Sequence, residues 1–247
     1  MSVAPVALSP LDTGRFGFVC ARAEVTTENL GQVLEFCREQ SVRLLIARCD
    51  SADLAAAQAM EQSGFQLMDT LVYCQRDLIR SPIPEEFGHI TVRPLREGEV
   101  DAVVDVAEAS FNGYVSHYHA DRRIPPDQAT ATYADWARRS CLDRTVAEAV
   151  LVGEAGGQVV GFLTLRMNSP REGEVLLSAV HRIAQGMGLY RSLIVAAMKW
   201  SAGRGARRLI ISTQLANFYV QGVWARVGFE PLRAEHTFHR WLLESNA

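Results

Sequence analysis

The sequence predicts an α/β chain in two unequal units: a smaller one over residues 1–80, a linker over 81–87 and a larger one over 88–247. Three observations predict this. Short strand-like runs alternate along the chain with segments whose apolar residues recur at helical spacing. A glycine-bearing loop, Val180-His181-Arg182-Ile183-Ala184-Gln185-Gly186-Met187-Gly188-Leu189-Tyr190, falls between one such strand and one such helix. The chain also echoes itself at an offset of 164 positions: Arg43, Leu45, Ile46, Ala52, Gly64, Phe65 and Leu78 coincide with Arg207, Leu209, Ile210, Ala216, Gly228, Phe229 and Leu242. The first unit therefore reads as a repeat of the C-terminal half of the second.

In order, the first unit gives an extended start, a helix over 27–40, a strand over 42–48, an alanine-rich helix over 52–62 and a strand over 65–78. Two prolines and a glycine without periodicity mark the linker. A strand over 89–94 and a helix over 97–111 follow. Next comes a long loop over 112–126 holding Tyr114, His117, Tyr118 and His119, then a helix over 126–141 that places Tyr133 and Trp136 on one face. Strands over 149–154 and 158–166 form a hairpin around Ala155-Gly156-Gly157. After the glycine loop come a helix over 189–200, a strand over 208–214, a helix over 217–226 and a last strand over 229–242. That last strand, taken as a sheet edge, could pair between two subunits of a homodimer.

Composition narrows the function. With 48% apolar and 21% charged residues the chain belongs with globular proteins, and a net charge of −3 supplies no basic excess to meet a nucleic acid. No apolar run is long enough to span a bilayer, and residues 1–10 lack a basic start followed by an apolar stretch, so a cytoplasmic protein without membrane partners is expected. The five cysteines are scattered and form no C-x-x-C pair. They read as reduced and mostly buried, with neither a disulfide framework nor a metal site expected.

The strand, glycine loop and helix suit an anion. Free N–H groups of the loop and the first helical turn converge at the positive end of the helix dipole, where a pyrophosphate can sit, although such glycines can also serve only as a tight turn. The G-x-x-x-x-G-K-[ST] spacing is absent, and G-x-G-x-x-G fails at Arg191. Gln185, Gly188 and Tyr190 instead fall on Q/R-x-x-G-x-G/A, and on this motif the chain resembles the GCN5-related N-acetyltransferases (GNAT). Tyr190 departs from it, standing where a small residue is usual. A second likeness is N-x-x-A-x-x-x-Y followed by G-F, met at Asn217, Val220, Trp224 and Gly228-Phe229 with two residue types changed. The order of elements over 88–247 is also similar to the family's. The resemblance implies a GNAT fold, a mixed and mostly antiparallel central sheet flanked by helices, preceded here by a smaller, degenerate, half-GNAT-like domain that binds no cofactor. A more pointed likeness is to the branch containing the TDP-fucosamine acetyltransferase, which acetylates the amino group of a nucleotide-linked sugar. It is carried by Leu11-Asp12-Thr13 with Phe16-Gly17, by His117-Tyr118-His119-Ala120-Asp121, and by Thr213-Gln214 leading to Asn217.

The resemblance implies acetyl-CoA as cosubstrate and a small-molecule amine as acceptor, such as an amino group of a nucleotide-linked sugar. Amides from Gln185, Gly186, Met187, Gly188, Leu189 and Tyr190 would hold the pyrophosphate. Ala179 and Val180 would end a strand that splays from its neighbour to admit pantetheine, with the Val180 N–H facing the thioester oxygen. Asn217 and Trp224 would complete the cofactor wall, Asn217 also being suited to cap its helix. Trp224 stands where the family has a tyrosine that protonates the departing thiolate, and an indole cannot do that. Tyr190 and Tyr219 are the candidate substitutes. For the base, His117, His119, His236 and His239 are available near neutrality, and His119 is favoured. His236 and His239 fall on opposite faces of a strand. His117, Tyr118, His119 and His239 are the expected acceptor contacts, while Glu154 and Glu174 are expected to face water. Acylation of another acceptor, such as an amino acid, a drug-like amine or a carrier-bound intermediate, and a non-catalytic acyl-CoA sensor are the alternatives.

Overall fold

The computed structural model describes residues 4–85 and 90–242, so the expected linker and the start of the strand over 89–94 lie partly outside the described residues. The chain forms two compact units, and they do not follow sequence order. The first takes residues up to Val72 together with Val115–Pro125 and the segment from Arg233; the second takes Tyr73–Tyr114 and Pro126–Leu232. The compact units therefore part within two strands and around a loop, not at the linker expected over 81–87. No helix among the described residues is long and apolar enough to cross a membrane.

The first unit contains β1 (Val6–Leu8), α1 (Pro10–Phe16), β2 (Cys20–Glu24), α2 (Leu30–Glu39), β3 (Leu44–Asp50), α3 (Leu54–Gln62), the first half of β4 (Gln66–Asp77) and α5 (His117–Ala120). Most of the last strand, β10 (Glu230–Trp241), also belongs to it. β1 runs antiparallel to β2, β2 parallel to β3, and β10 antiparallel to β3 from Glu235 against Asp50 to Trp241 against Leu44. β10 is thus a paired strand and not the free edge expected of it. Its apolar core lies on one face of this sheet, with Ala21, Leu45, Ala47 and Phe238 from the strands, Val33 from α2 and Met60 from α3 almost fully enclosed. Helix α1 falls where an extended start was expected. Its sequence signal is local: Ser9 caps it by accepting from the Asp12 N–H, Pro10 opens it, and Gly17 closes it at φ 77°.

The second unit contains the rest of β4, β5 (Thr91–Pro94), α4 (Val100–Phe111), α6 (Pro126–Leu142), β6 (Ala149–Ala155), β7 (Gln158–Ser169), β8 (Glu172–Val180), α7 (Leu189–Ala202), β9 (Arg208–Gln214) and α8 (Phe218–Arg226). Its strand order is β9-β8-β7-β6-β5, antiparallel except for the parallel pair β8–β9. The fold is the GNAT fold, a mixed sheet flanked by helices, as expected. Val152, Phe162, Leu163 and Leu165 from the sheet and Leu193, Ile194 and Met198 from α7 are fully buried. Glu154 and Glu174 do not simply face water. Glu154 pairs with Arg93 and Glu174 with Arg166, each at 2.8 Å.

The echo extends to the boundaries of the elements. β3, α3 and β4 begin and end 164 positions before β9, α8 and β10. Asp53 and Asn217 occupy equivalent places and each accepts from the N–H three residues on, capping α3 and α8.

Candidate active site

The glycine loop lies in the second unit, between β8 and α7. After a single 3-10 turn at Arg182–Ala184, Gly186 and Gly188 both adopt left-handed backbone, at φ 78° and 84°, conformations that cost a residue with a Cβ about 1–2 kcal/mol. The N–H groups of Gly186, Met187, Gly188, Leu189 and Tyr190 donate to no acceptor among the described residues. Gly186 and Met187 are exposed, Gly188 and Tyr190 half-buried and Leu189 buried, at a helix N-terminus, where unpaired amides can hold a phosphate. The helix start is also pressed against the sheet. The Leu189 side chain sits over Gly153 and Gly161, where an added Cβ would come within 2.4 Å and 3.0 Å of it. Leu189 therefore makes the close packing, and the larger Tyr190 is directed elsewhere.

The sheet parts beside this loop. β8 stays paired with β7 as far as Val180, against Gly161, but its parallel pairing with β9 ends at Val175 against Ile211. From Leu176 onward one edge of β8 has no strand paired to it among the described residues. The His181 N–H donates to the Val160 carbonyl at 2.8 Å, so by the alternation of an antiparallel ladder the N–H and C=O of Val180 point the other way, toward the parted side. The Val180 carbonyl there accepts from Gln185 Nε2 at 3.4 Å. An extended ligand with amide groups can add to such an edge as a strand would.

Tyr190 reaches between β8 and α8. Its hydroxyl accepts from the Trp224 indole N–H at 3.0 Å and lies 3.5 Å from the Ser178 hydroxyl. Burial pushes the phenol up to about 12 against the pull of those two neighbours. Trp224 is 1% exposed, so its ring is fixed. Asn217 takes the capping role, accepting from the Val220 N–H and donating to the Thr213 hydroxyl at 3.1 Å. Tyr219 is 66% exposed on α8 beside the equally open Phe218. Two contacts were not anticipated from the sequence: the Tyr114 hydroxyl donates to Gln214 at the end of β9, and Arg182 donates to the Asn112 carbonyl at 3.0 Å. These pairs are 100 and 70 positions apart, a separation at which sequence pattern gives no signal. A polar depression of about 340 Å³ lined by Asp77, Arg171, Glu172 and Arg208 lies at the opposite, zipped end of β8 and β9.

The expected acceptor residues lie in the first unit, where His117, Tyr118 and His119 form the short helix α5. They join a buried polar network. Asp121 accepts from His239 Nδ1 at 2.7 Å and from the Trp241 indole at 2.7 Å, and His239 Nε2 is 2.9 Å from His117 Nδ1. Burial, then the neighbouring His239, holds the His117 pKa well below 6.5, so His117 is a neutral imidazole. The Tyr118 hydroxyl donates to Asp12 at 2.9 Å, and Arg22 pairs with the same carboxylate at 2.7 Å. Burial opposes ionisation of Asp12, but Arg22 with the Ser9 and Tyr118 hydroxyls outweighs it, leaving the pKa below the usual carboxylate value. His119 is half-buried, its pKa lowered by burial, with Nδ1 2.8 Å from the Ser116 hydroxyl. His236 bonds the Thr70 hydroxyl at 2.9 Å while His239 is enclosed, the opposite facing expected of them. Burial also raises the thiols of Cys20, Cys37, Cys49 and Cys141 to about 11 or 12, so none of them is a nucleophile at neutral pH.

Comparison with known proteins agrees with this geometry. Residues 111–229 match the model of the acetyltransferase (GNAT) family. A mycothiol acetyltransferase of Streptomyces bingchenggensis (strain BCW-1) is 32% identical over 57% of this chain and 42% of its own length. One from Amycolatopsis mediterranei (strain U-32) is 29% identical over 71% and 58%. The chain thus spans about half the length of the curated relatives it matches. These carry a name other than that of the TDP-fucosamine branch to which the local stretches pointed. Among solved structures, a GCN5-related N-acetyltransferase from Sphaerobacter thermophilus aligns with TM-score 0.64 at 15% identity, covering 96% of this chain and 76% of that one. A tandem GNAT protein from the clavulanic acid biosynthesis pathway aligns with TM-score 0.60 at 15% identity, covering 100% and 86%. Residues 111–229 are thus similar in sequence to the GNAT acetyltransferases, and the solved structures share the fold of this chain.

Proposed function

We propose that the protein is an acetyl-CoA-dependent N-acetyltransferase acting on a small amine. The observation that carries this is the coincidence, in one unit, of five amides that donate to no acceptor among the described residues with a sheet edge unpaired among them from Leu176 onward. Acetyl-CoA supplies a thioester-activated acetyl group. The amides from Gly186 to Tyr190, with Gln185 beside them, suit its pyrophosphate, and Ala179 and Val180 offer the bare edge to its pantetheine arm. The Val180 N–H is the hydrogen-bond donor for charge that develops on the acetyl oxygen, a role worth about 3–4 kcal/mol where it has been measured. Asn217 and Trp224 build the wall on the α8 side.

His117, Tyr118, His119 and His239 are proposed as acceptor contacts, with His119 as the proton acceptor because its imidazole is the more open of the α5 pair. The first 80 residues are proposed to hold no cofactor: the repeated elements β3, α3 and β4 have no counterpart of the glycine loop before them. An amine on a sugar, including a nucleotide-linked sugar, is the proposed acceptor class, and the names of the curated relatives make mycothiol-related amines the alternative. The test is release of free thiol from acetyl-CoA against a panel of aminosugars, nucleotide-linked aminosugars and amino acids. Release with an aminosugar is expected. Tight coenzyme binding with no release across the panel would instead make the protein an acyl-CoA sensor.

A further inference from the structure

Tyr190 is fixed by partners from both sides of the parted sheet. Ser178 belongs to the stretch of β8 that has lost its β9 neighbour, and Trp224 belongs to α8, the helix that β9 leads into. The phenol oxygen lies 3.5 Å from one and 3.0 Å from the other, so it stands between the stretch of β8 past its β9 pairing and α8. The direction of the second bond is unambiguous. An indole N–H can only donate, so the Tyr190 oxygen is the acceptor and its own proton is left for another partner. Ser178, at 3.5 Å, is a long contact that leaves this proton available. Trp224 itself is immobilised by burial and by packing near Phe229, with ring centroids 6.3 Å apart. The result is a hydroxyl whose position is set before any ligand arrives, which is what stabilisation of a developing charge requires.

We propose that Tyr190, positioned by Trp224, donates the hydrogen bond that the coenzyme A sulfur receives as it leaves. This rests on the function proposed above. As the amine lone pair forms the C–N bond, the C–S bond breaks and its electron pair departs on sulfur, giving a thiolate. The proton lost by the amine passes to base or solvent. Tyr190 keeps its proton and shares it with the thiolate, since a phenol held near 12 is a weaker acid than an ordinary thiol near 8.5. The Trp224 N–H polarises the phenol and keeps it aimed. A hydroxyl from α7 thus serves the leaving group, while the residue on α8 acts through it.

The test compares wild type, Tyr190→Phe and Trp224→Phe as whole chains. Coenzyme A is first titrated calorimetrically, and the ultraviolet absorbance of its bound thiolate is then followed against pH. Affinity for acetyl-CoA is expected to change by less than about threefold in Tyr190→Phe, while turnover falls at least tenfold. The bound thiol should ionise about one pH unit higher without the phenol, as expected for loss of one hydrogen bond to a charged group. Trp224→Phe should shift the same titration in the same direction by less. An unchanged thiol titration in both variants would overturn the proposal, even if turnover fell. Should Tyr190→Phe fail to fold, an unshifted titration in Trp224→Phe alone overturns it. Wild type that binds no coenzyme would remove the underlying function, a result distinct from any of these.

Discussion

At the scale of single residues the structure concentrates its electrostatic stakes in the first unit. Asp12 is fully enclosed while Arg22 remains 42% exposed, so the pair is only half in water. Removing Arg22 leaves a carboxylate that keeps the Ser9 and Tyr118 hydroxyls and the more distant Arg15, at 3.7 Å, but loses its nearer counter-charge. Arg22→Leu should cost about 2 kcal/mol, less than a fully enclosed pair because the guanidinium is partly hydrated already. Urea unfolding measures it, and an unchanged midpoint would contradict the role given to Asp12. His117 makes the opposite pH signature. Its folded pKa lies well below 6.5, so on acidification the unfolded chain takes up a proton that the folded one refuses. Stability should therefore hold above about pH 6.5 and fall as pH drops below it. Asp12, depressed in the folded state, contributes its loss only below 3.8. Thermal unfolding from pH 8 to 5 should show the midpoint falling, with a shallower slope in His117→Gln. An equal slope would place the titrating group elsewhere.

At the scale of elements, the start of α7 is where close packing meets the proposed coenzyme site. Gly153 leaves room for Leu189, and a Cβ there would come 2.4 Å from that side chain. Gly153→Ala should destabilise by about 1–3 kcal/mol, and shortening Leu189 to Val in the same chain should recover part of it. Gly188→Val strains a left-handed position and places a branched side chain where phosphate oxygens would approach, so acetyl-CoA affinity should fall at least tenfold. Calorimetry on the folded variant checks this, and wild-type affinity would show that the loop only turns the chain. Most element types were legible because period is local: a strand over 208–214 and helices over 189–200 and 217–226 stand within a few residues of where the spacing put them. Helix α1 carried its own signal in Ser9, Pro10 and Gly17, which was outweighed by its short length. The parting of β8 from β9 left no trace in the sequence. Strand pairing depends on a partner more than thirty positions away, and Leu176-Leu177-Ser178 reads the same whether its edge is zipped or bare.

At the scale of the whole molecule, the 164-position echo was visible as seven coincident residues and the structure extends it to six element boundaries. The way long strands divide between compact units was not visible, because β4 and β10 each present an unbroken pattern across the division. The local stretches around Asp12 and Tyr118 were singled out separately, and the fold joins them in one hydrogen-bond network. The candidate cofactor loop was the most legible part of the site because its function resides in backbone geometry that glycine spacing announces. The Tyr190–Trp224 pair was not, being a contact between two helices. If the repeated half lacks a phosphate loop and the second unit holds one, a single coenzyme should bind each chain. The direct measurement is calorimetric titration of the whole protein with acetyl-CoA. One site per chain, lost or weakened at least tenfold in Gly188→Val, is the predicted result. No heat of binding, or two equivalent sites, would contradict the claim that the amides from Gly186 to Tyr190 and the open edge of β8 form one acetyl-CoA site.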